Sequence, residues 1–109
     1  MPLPTITEIA NPFASEERDF TDDRDQKHKL NLVLGHPQVF DTMATDHGPA
    51  DMWCCPCAVG IDGVFQFNRF GGPGRVGAII NACKFLEARR YELIDEPAFK
   101  RLGITNTRE

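Results

Sequence analysis

Three of the four cysteines in this chain stand in one run, Trp53-Cys54-Cys55-Pro56-Cys57, beside its only tryptophan. Thiols this close can hold a metal, exchange a disulfide or pack together as small apolar groups. Each chemistry asks for different surroundings. A structural zinc wants four ligands in a tetrahedron. Cys54 and Cys57 have the two-residue spacing that supplies half of one, and His47 upstream with Cys83 downstream would complete it. Cys83, however, recurs on the apolar face of a helical pattern, where a small buried core residue is the simpler reading. His36 before Pro37 and His47 before Gly48 are equally natural as loop residues. The third reading buries the thiols, or sets them at a subunit contact, with Trp53 beside Cys55 as a large apolar anchor. A bridge between the neighbours Cys54 and Cys55 would need a strained ring.

The run also resembles the Trp-Cys-Gly-Pro-Cys redox motif of the thioredoxin family. The resemblance covers five residues and implies a thiol-disulfide oxidoreductase, with Cys54 as nucleophile and Cys57 as resolver. In that family the motif follows an apolar strand and opens a long helix, whose N-terminus lowers the pKa of the first thiol. Here Cys55 replaces the motif's glycine, a Gly-Pro loop precedes the run, and a hairpin signal follows within six residues. Neither Pro73, in a glycine run, nor Pro97, at a helix start, matches the family's later cis-proline loop.

A second pattern, Gly72-Pro73-Gly74-Arg75-Val76-Gly77, has the G-x-G-x-x-G form of dinucleotide-binding folds. Too little chain follows it to build the rest of a doubly wound sheet. The glycines more simply permit a tight strand-to-helix turn. An anion held by the helix N-terminus with help from Arg75 is the lesser alternative. Ser15, the only serine, lies in no nucleophile motif, and the deaminase pattern lacks its second cysteine after Pro56-Cys57.

The elements that must position these residues follow from periodicity. Residues 1–13 read as an extended arm, because Pro2, Pro4 and Pro12 resist helix while Leu3, Ile6, Ile9 and Phe13 offer apolar anchors. Asn11-Pro12 looks like a helix start, which predicts a short acidic helix from Phe13 onward. Lys29–Leu34 alternates as a strand, and Pro37–Thr45 is expected as a brief helix. The segment 46–51 is loop by composition, so the cysteine run should begin at the edge of an element. Residues 57–61 and 64–70 flank Asp62-Gly63, a favoured two-residue hairpin turn. Phe65 and Phe67 share one face of this hairpin and Gln66 and Asn68 the other, so one side should be buried. Residues 75–90 form the strongest helix, with Val76, Ile79, Ile80, Cys83 and Leu86 on its apolar stripe. Tyr91–Ile94 could return as a strand before a last short helix, Glu96–Leu102, that Gly103 closes.

With 109 residues, 41% apolar and 26% charged, the chain suits one folded domain and argues against wholesale disorder. No apolar window is long enough for a membrane span, and the start has neither the basic nor the apolar region of a secretory signal, so a cytoplasmic protein is expected. Residues 1–60 carry ten acids and four bases, net −6, while residues 61–109 carry six acids and eight bases, net +2. Opposed halves favour self-association, and the basic side chains Arg75, Arg89 and Arg90 join Trp53 and Cys55 as candidate binding residues. No continuous basic stripe interleaved with aromatics is present, which makes nucleic acid a poor partner. These features predict an α+β fold. A small antiparallel sheet with a central hairpin at about 57–70 packs on one helix at about 75–90, in a single domain 14–109 behind the arm. The function expected is a non-enzymatic binding or assembly protein, partnered by another protein or by itself and with no cofactor. A small virion component or an inhibitor from a phage or similar mobile element would suit. The zinc module and the oxidoreductase are the alternatives.

Overall fold

The computed structural model describes residues 9–103. Five strands form one antiparallel sheet: β1 (Ala14–Thr21), β2 (Lys27–Leu34), β3 (Gln38–Thr45), β4 (Gly48–Ile61) and β5 (Val64–Gly72). A helical stretch follows, made of α1 (Gly74–Arg90), a π-helical segment (Tyr91–Asp95) and α2 (Glu96–Arg101). The expected class, a small antiparallel sheet against one main helix, is the observed one. Of the expected 1–13 arm, residues 1–8 lie outside the described residues.

β4 is the centre of the sheet, and its length explains the topology. One of its edges pairs with β2 through residues 57–61 and with β3 through residues 48–54. Its other edge pairs with β5 along an unbroken register from Trp53–Gly72 to Ile61–Val64. β2 and β3 therefore lie end to end beside one strand, separated by Gly35-His36-Pro37. β1 closes the far side against β2.

The core forms where the helix covers the sheet. Alternation puts Leu30, Leu32 and Leu34 of β2 on the same face as Cys55, Cys57 and Val59 of β4, and these pack against Ala78, Ala82 and Leu86 of α1. The buried stripe of α1 is thus centred on two alanines. Val76 and Ile80, expected on that stripe, are exposed. The reason is close approach: a side chain at Gly72 would meet backbone atoms of Gly77 and Ala78 within 2.4–2.6 Å. A helix held this near the sheet has room for alanine beneath it and turns its larger aliphatics outward.

Other local expectations change for similar reasons. The acidic helix after Phe13 is the strand β1, because its side chains pair along β2 and Phe20 stacks on His28. The brief helix at Pro37–Thr45 is the strand β3, zipped to the first half of β4, and the loop at 46–51 is mostly β4 itself. Tyr91–Ile94 continues the helix instead of returning as a strand, placing Leu93 and Ile94 against the core.

Candidate functional site

The cysteine run lies in the middle of β4, and that placement decides its chemistry. Successive strand residues point to opposite faces. Cys55 and Cys57 enter the core under α1, while Cys54 points to the face that carries no helix. Cys54 and Cys57 are three residues apart in extended chain, about 10 Å, and on opposite sides of the sheet. A disulfide requires Cα atoms within about 7 Å. The pair that would be adjacent on a helix is separated by a strand.

Burial also keeps these thiols protonated. It pushes Cys55 up to about 11 and Cys57 up to about 12, with neighbouring thiols adding to both shifts. Cys54 is raised by burial, partly offset by Arg69. The resemblance to the thioredoxin motif thus stops at the residue string: the run lies inside β4 and opens no helix.

The four residues named for zinc are dispersed. His47 sits in the exposed turn between β3 and β4, Cys83 is half-buried on α1, and Cys54 and Cys57 lie on opposite sheet faces. Among the described residues no cluster of three or more His, Cys, Asp or Glu side chains is placed to hold a metal ion.

Cys55 has a further role that the sequence does not announce. Pro56, buried in a central strand, has no N–H to give to its neighbour Gly35, although Gly35 donates to the Pro56 carbonyl at 2.8 Å. The Cys55 thiol donates to the Gly35 carbonyl instead, with Sγ at 3.3 Å. Gly35 must be glycine, since a Cβ there would meet the Pro56 ring at 2.7 Å.

The glycine pattern at 72–77 is likewise used up by packing. Gly72 touches the α1 backbone, Gly74 turns the chain with φ 73°, and Gly77 lies against the Pro73 ring. Among the described residues the sheet is antiparallel throughout, without the parallel strands of a dinucleotide fold. Arg75 lies 4.6 Å over the Trp53 ring, so these two candidate residues bind each other. Arg89 pairs with Glu92 at 2.9 Å, and Arg90 reaches Glu16, Glu87 and Asp95 at 3.6–3.8 Å. The Arg90–Glu16 contact joins the basic half to the acidic half within one molecule.

His28 was not singled out by any motif, yet it is the most engaged polar residue. Its Nε2 lies 2.7 Å from Asp22 Oδ2 and its Nδ1 lies 2.6 Å from Asp62 Oδ2. Asp22 also caps the β1–β2 turn by accepting the N–H groups of Arg24 and Gln26, and Asp62 accepts that of Lys29. With a carboxylate on each nitrogen, the imidazole is held in its charged form. The bonds from Asp62 and then Asp22 raise its pKa, and both carboxyls are lowered, chiefly by His28. This clasp ties two hairpin turns together.

The remaining feature is the sheet face away from α1, whose β4 centre is buried, with Cys54 2% and Ala58 1% exposed, while its ends carry exposed apolar groups. On β4 it consists of Gly48, Ala50, Met52, Cys54, Pro56, Ala58 and Gly60, without a charge. Phe65 and Phe67 of β5 flank it, their rings 6.2 Å apart. Sequence alternation correctly put these two together but pointed them toward the expected core. Their partners across the ladder, Gly60 and Ala58, lie on the side away from α1, whereas Phe70 reaches the helix and packs on Phe85. Phe65 remains 42% exposed and Met43 of β3 51% exposed. Comparison with protein-family models, curated proteins and solved structures finds no match for this chain.

Proposed function

We propose that this chain is a non-enzymatic binding or assembly protein that works by contact with another protein chain. The observation that carries this reading is the one-sided cover of the sheet. α1 shields one face; on the opposite face no described helix packs over β4, and although its residues 54, 56, 58 and 60 are buried, apolar groups at its two ends stay exposed. Its exposed members include Met43, Ala50 and Phe65. Clustered exposed apolar groups of this kind mark protein contacts. The chemistry of the buried groups supports the same reading. Protonated, buried thiols are poor nucleophiles and poor metal ligands.

Sedimentation velocity of the full chain over a wide concentration range tests the proposal. The expected result is a concentration-dependent rise in sedimentation coefficient, suppressed by Met43→Ser with Phe65→Ser. A monomer at every concentration would count against assembly by this chain alone.

A further inference from the structure

We infer that β5 is an assembly edge, whose outer rim pairs antiparallel with the same rim of a second copy and joins two sheets into one. This rests on the assembly reading above and names its partner and its contact.

Among the described residues β5 has one hydrogen-bonded neighbour, β4, so half of its backbone polar groups face outward. The turn fixes which half. Asp62 and Gly63 both have positive φ, 52° and 83°, the type I′ geometry whose flanking residues form a hydrogen-bonded pair. That pair is Ile61–Val64, and the unbroken register then turns the backbone groups of Val64, Gln66, Asn68 and Phe70 toward β4. Those of Phe65, Phe67, Arg69 and Gly71 point away. The Gly71 carbonyl is already met by the Asn81 side chain at 2.8 Å. The rim is thus closed at the helix end and, among the described residues, open from Phe65 to Arg69.

Three described strands have a single hydrogen-bonded neighbour, β1, β3 and β5, and they differ in defence, β3 carrying Asp41 at its register break. β1 sets Glu16, Glu17, Arg18 and Asp19 in succession, and charged edges resist pairing. β5 carries Arg69 as its only charge, and Val64 at its start is 78% exposed. What fits a row of open N–H and C=O groups is another strand.

The β5 sequence also complements itself. With the pairing centred on Phe67, Phe67 faces its own copy, Gln66 faces the partner's Asn68, and Phe65 faces the partner's Arg69. No like charges oppose, and amide meets amide. Arg69, whose Nε is buried without a hydrogen-bond partner among the described residues, gains an aromatic ring. The two-fold axis stands perpendicular to the sheet. Both α1 helices therefore lie on one side, and four phenylalanines gather on the other.

Residue-resolved amide exchange of the full chain, at low and high concentration, tests this directly. The expected result is that the Phe65, Phe67 and Arg69 amides are open in the monomer and become at least tenfold slower to exchange in the dimer. Phe67→Pro breaks no ladder bond within the monomer, because that N–H faces outward, and should weaken dimerisation at least tenfold. A dimer whose three amides stay open overturns the edge pairing while leaving assembly standing. A monomer at all concentrations overturns both. Protection that is independent of concentration and lost in Leu3→Ser with Ile6→Ser would instead assign the rim to the chain's own N-terminal segment, and would overturn the proposal.

Discussion

Pro56 removes a hydrogen-bond donor from the middle of the sheet, and the neighbouring Cys55 thiol supplies one to Gly35. Cys55→Ala should therefore leave a buried carbonyl without a donor, at about 1–3 kcal/mol. Cys55→Ser keeps a hydroxyl in reach of that carbonyl and should retain more of the stability. Urea denaturation of the three proteins separates the two variants, and equal losses would remove the thiol's role as donor. His28 gives a pH dependence whose sign can be worked out. Its folded pKa is raised, so its contribution is fully present below the ordinary histidine value near 6.5 and is lost as pH rises through the folded value. Asp22 and Asp62 have lowered folded values, so theirs is present above the ordinary 3.8 and lost as pH falls through the lowered values. The clasp is strongest between these limits, at mildly acidic pH. Melting temperature followed against pH should fall on the alkaline side of that window, and His28→Gln should flatten the fall.

At the scale of elements, the tightest constraint is the passage from β5 into α1. A methyl at Gly72 would press on helix backbone, which cannot rotate away as a side chain can. Gly72→Ala should cost at least about 2 kcal/mol by overpacking, or roughly 10 °C in melting temperature for a domain this size. An unchanged thermal melt would show that the helix can move off the sheet. The elements most legible in the sequence were those whose own residues carry the signal. Asp62-Gly63 encodes a two-residue turn, and the 75–90 region encodes a helix by its spacing. β1 and β3 were illegible because the sheet, not their composition, makes them strands. Ala14–Thr21 is mostly polar and resembles a helix start, and all of β3 is exposed. Both acquire their pairing from β2 and β4, which lie elsewhere in the chain. The cysteine run misled for a related reason, since a spacing of three brings thiols together on a helix and parts them on a strand. The His28 clasp joins residues up to 34 positions apart, and no local pattern signals a contact of that range.

For the whole molecule, the asymmetry of the sheet matters most. One face is closed by α1, the β1 edge is guarded by charges, and the β5 edge and the ends of the other face expose apolar groups. The balance of charge between the halves, read from sequence as a cause of association, is at least partly satisfied inside one molecule through Arg90 and Glu16. Salt should accordingly have little effect on assembly. A dimer held by backbone pairing and phenylalanines should persist at high ionic strength, where the Debye length falls to about 3 Å at 1 M. Sedimentation in low and high salt checks this, and dissociation by salt would return the opposed charges to first place.

The central position of β4 also bears on how the chain is made. β2 and β3 precede it in sequence, yet both depend on it for their inner edge. During synthesis they must wait for residues 48–61 to be added. At about 5–20 residues per second, the interval from Leu34 to Ile61 lasts about one to five seconds. Through that time β2 carries a leucine-rich face with no helix or central strand to cover it. β1, with Glu16, Glu17 and Asp19, is the only strand of the sheet already made with which β2 can pair before residues 48–61 are added.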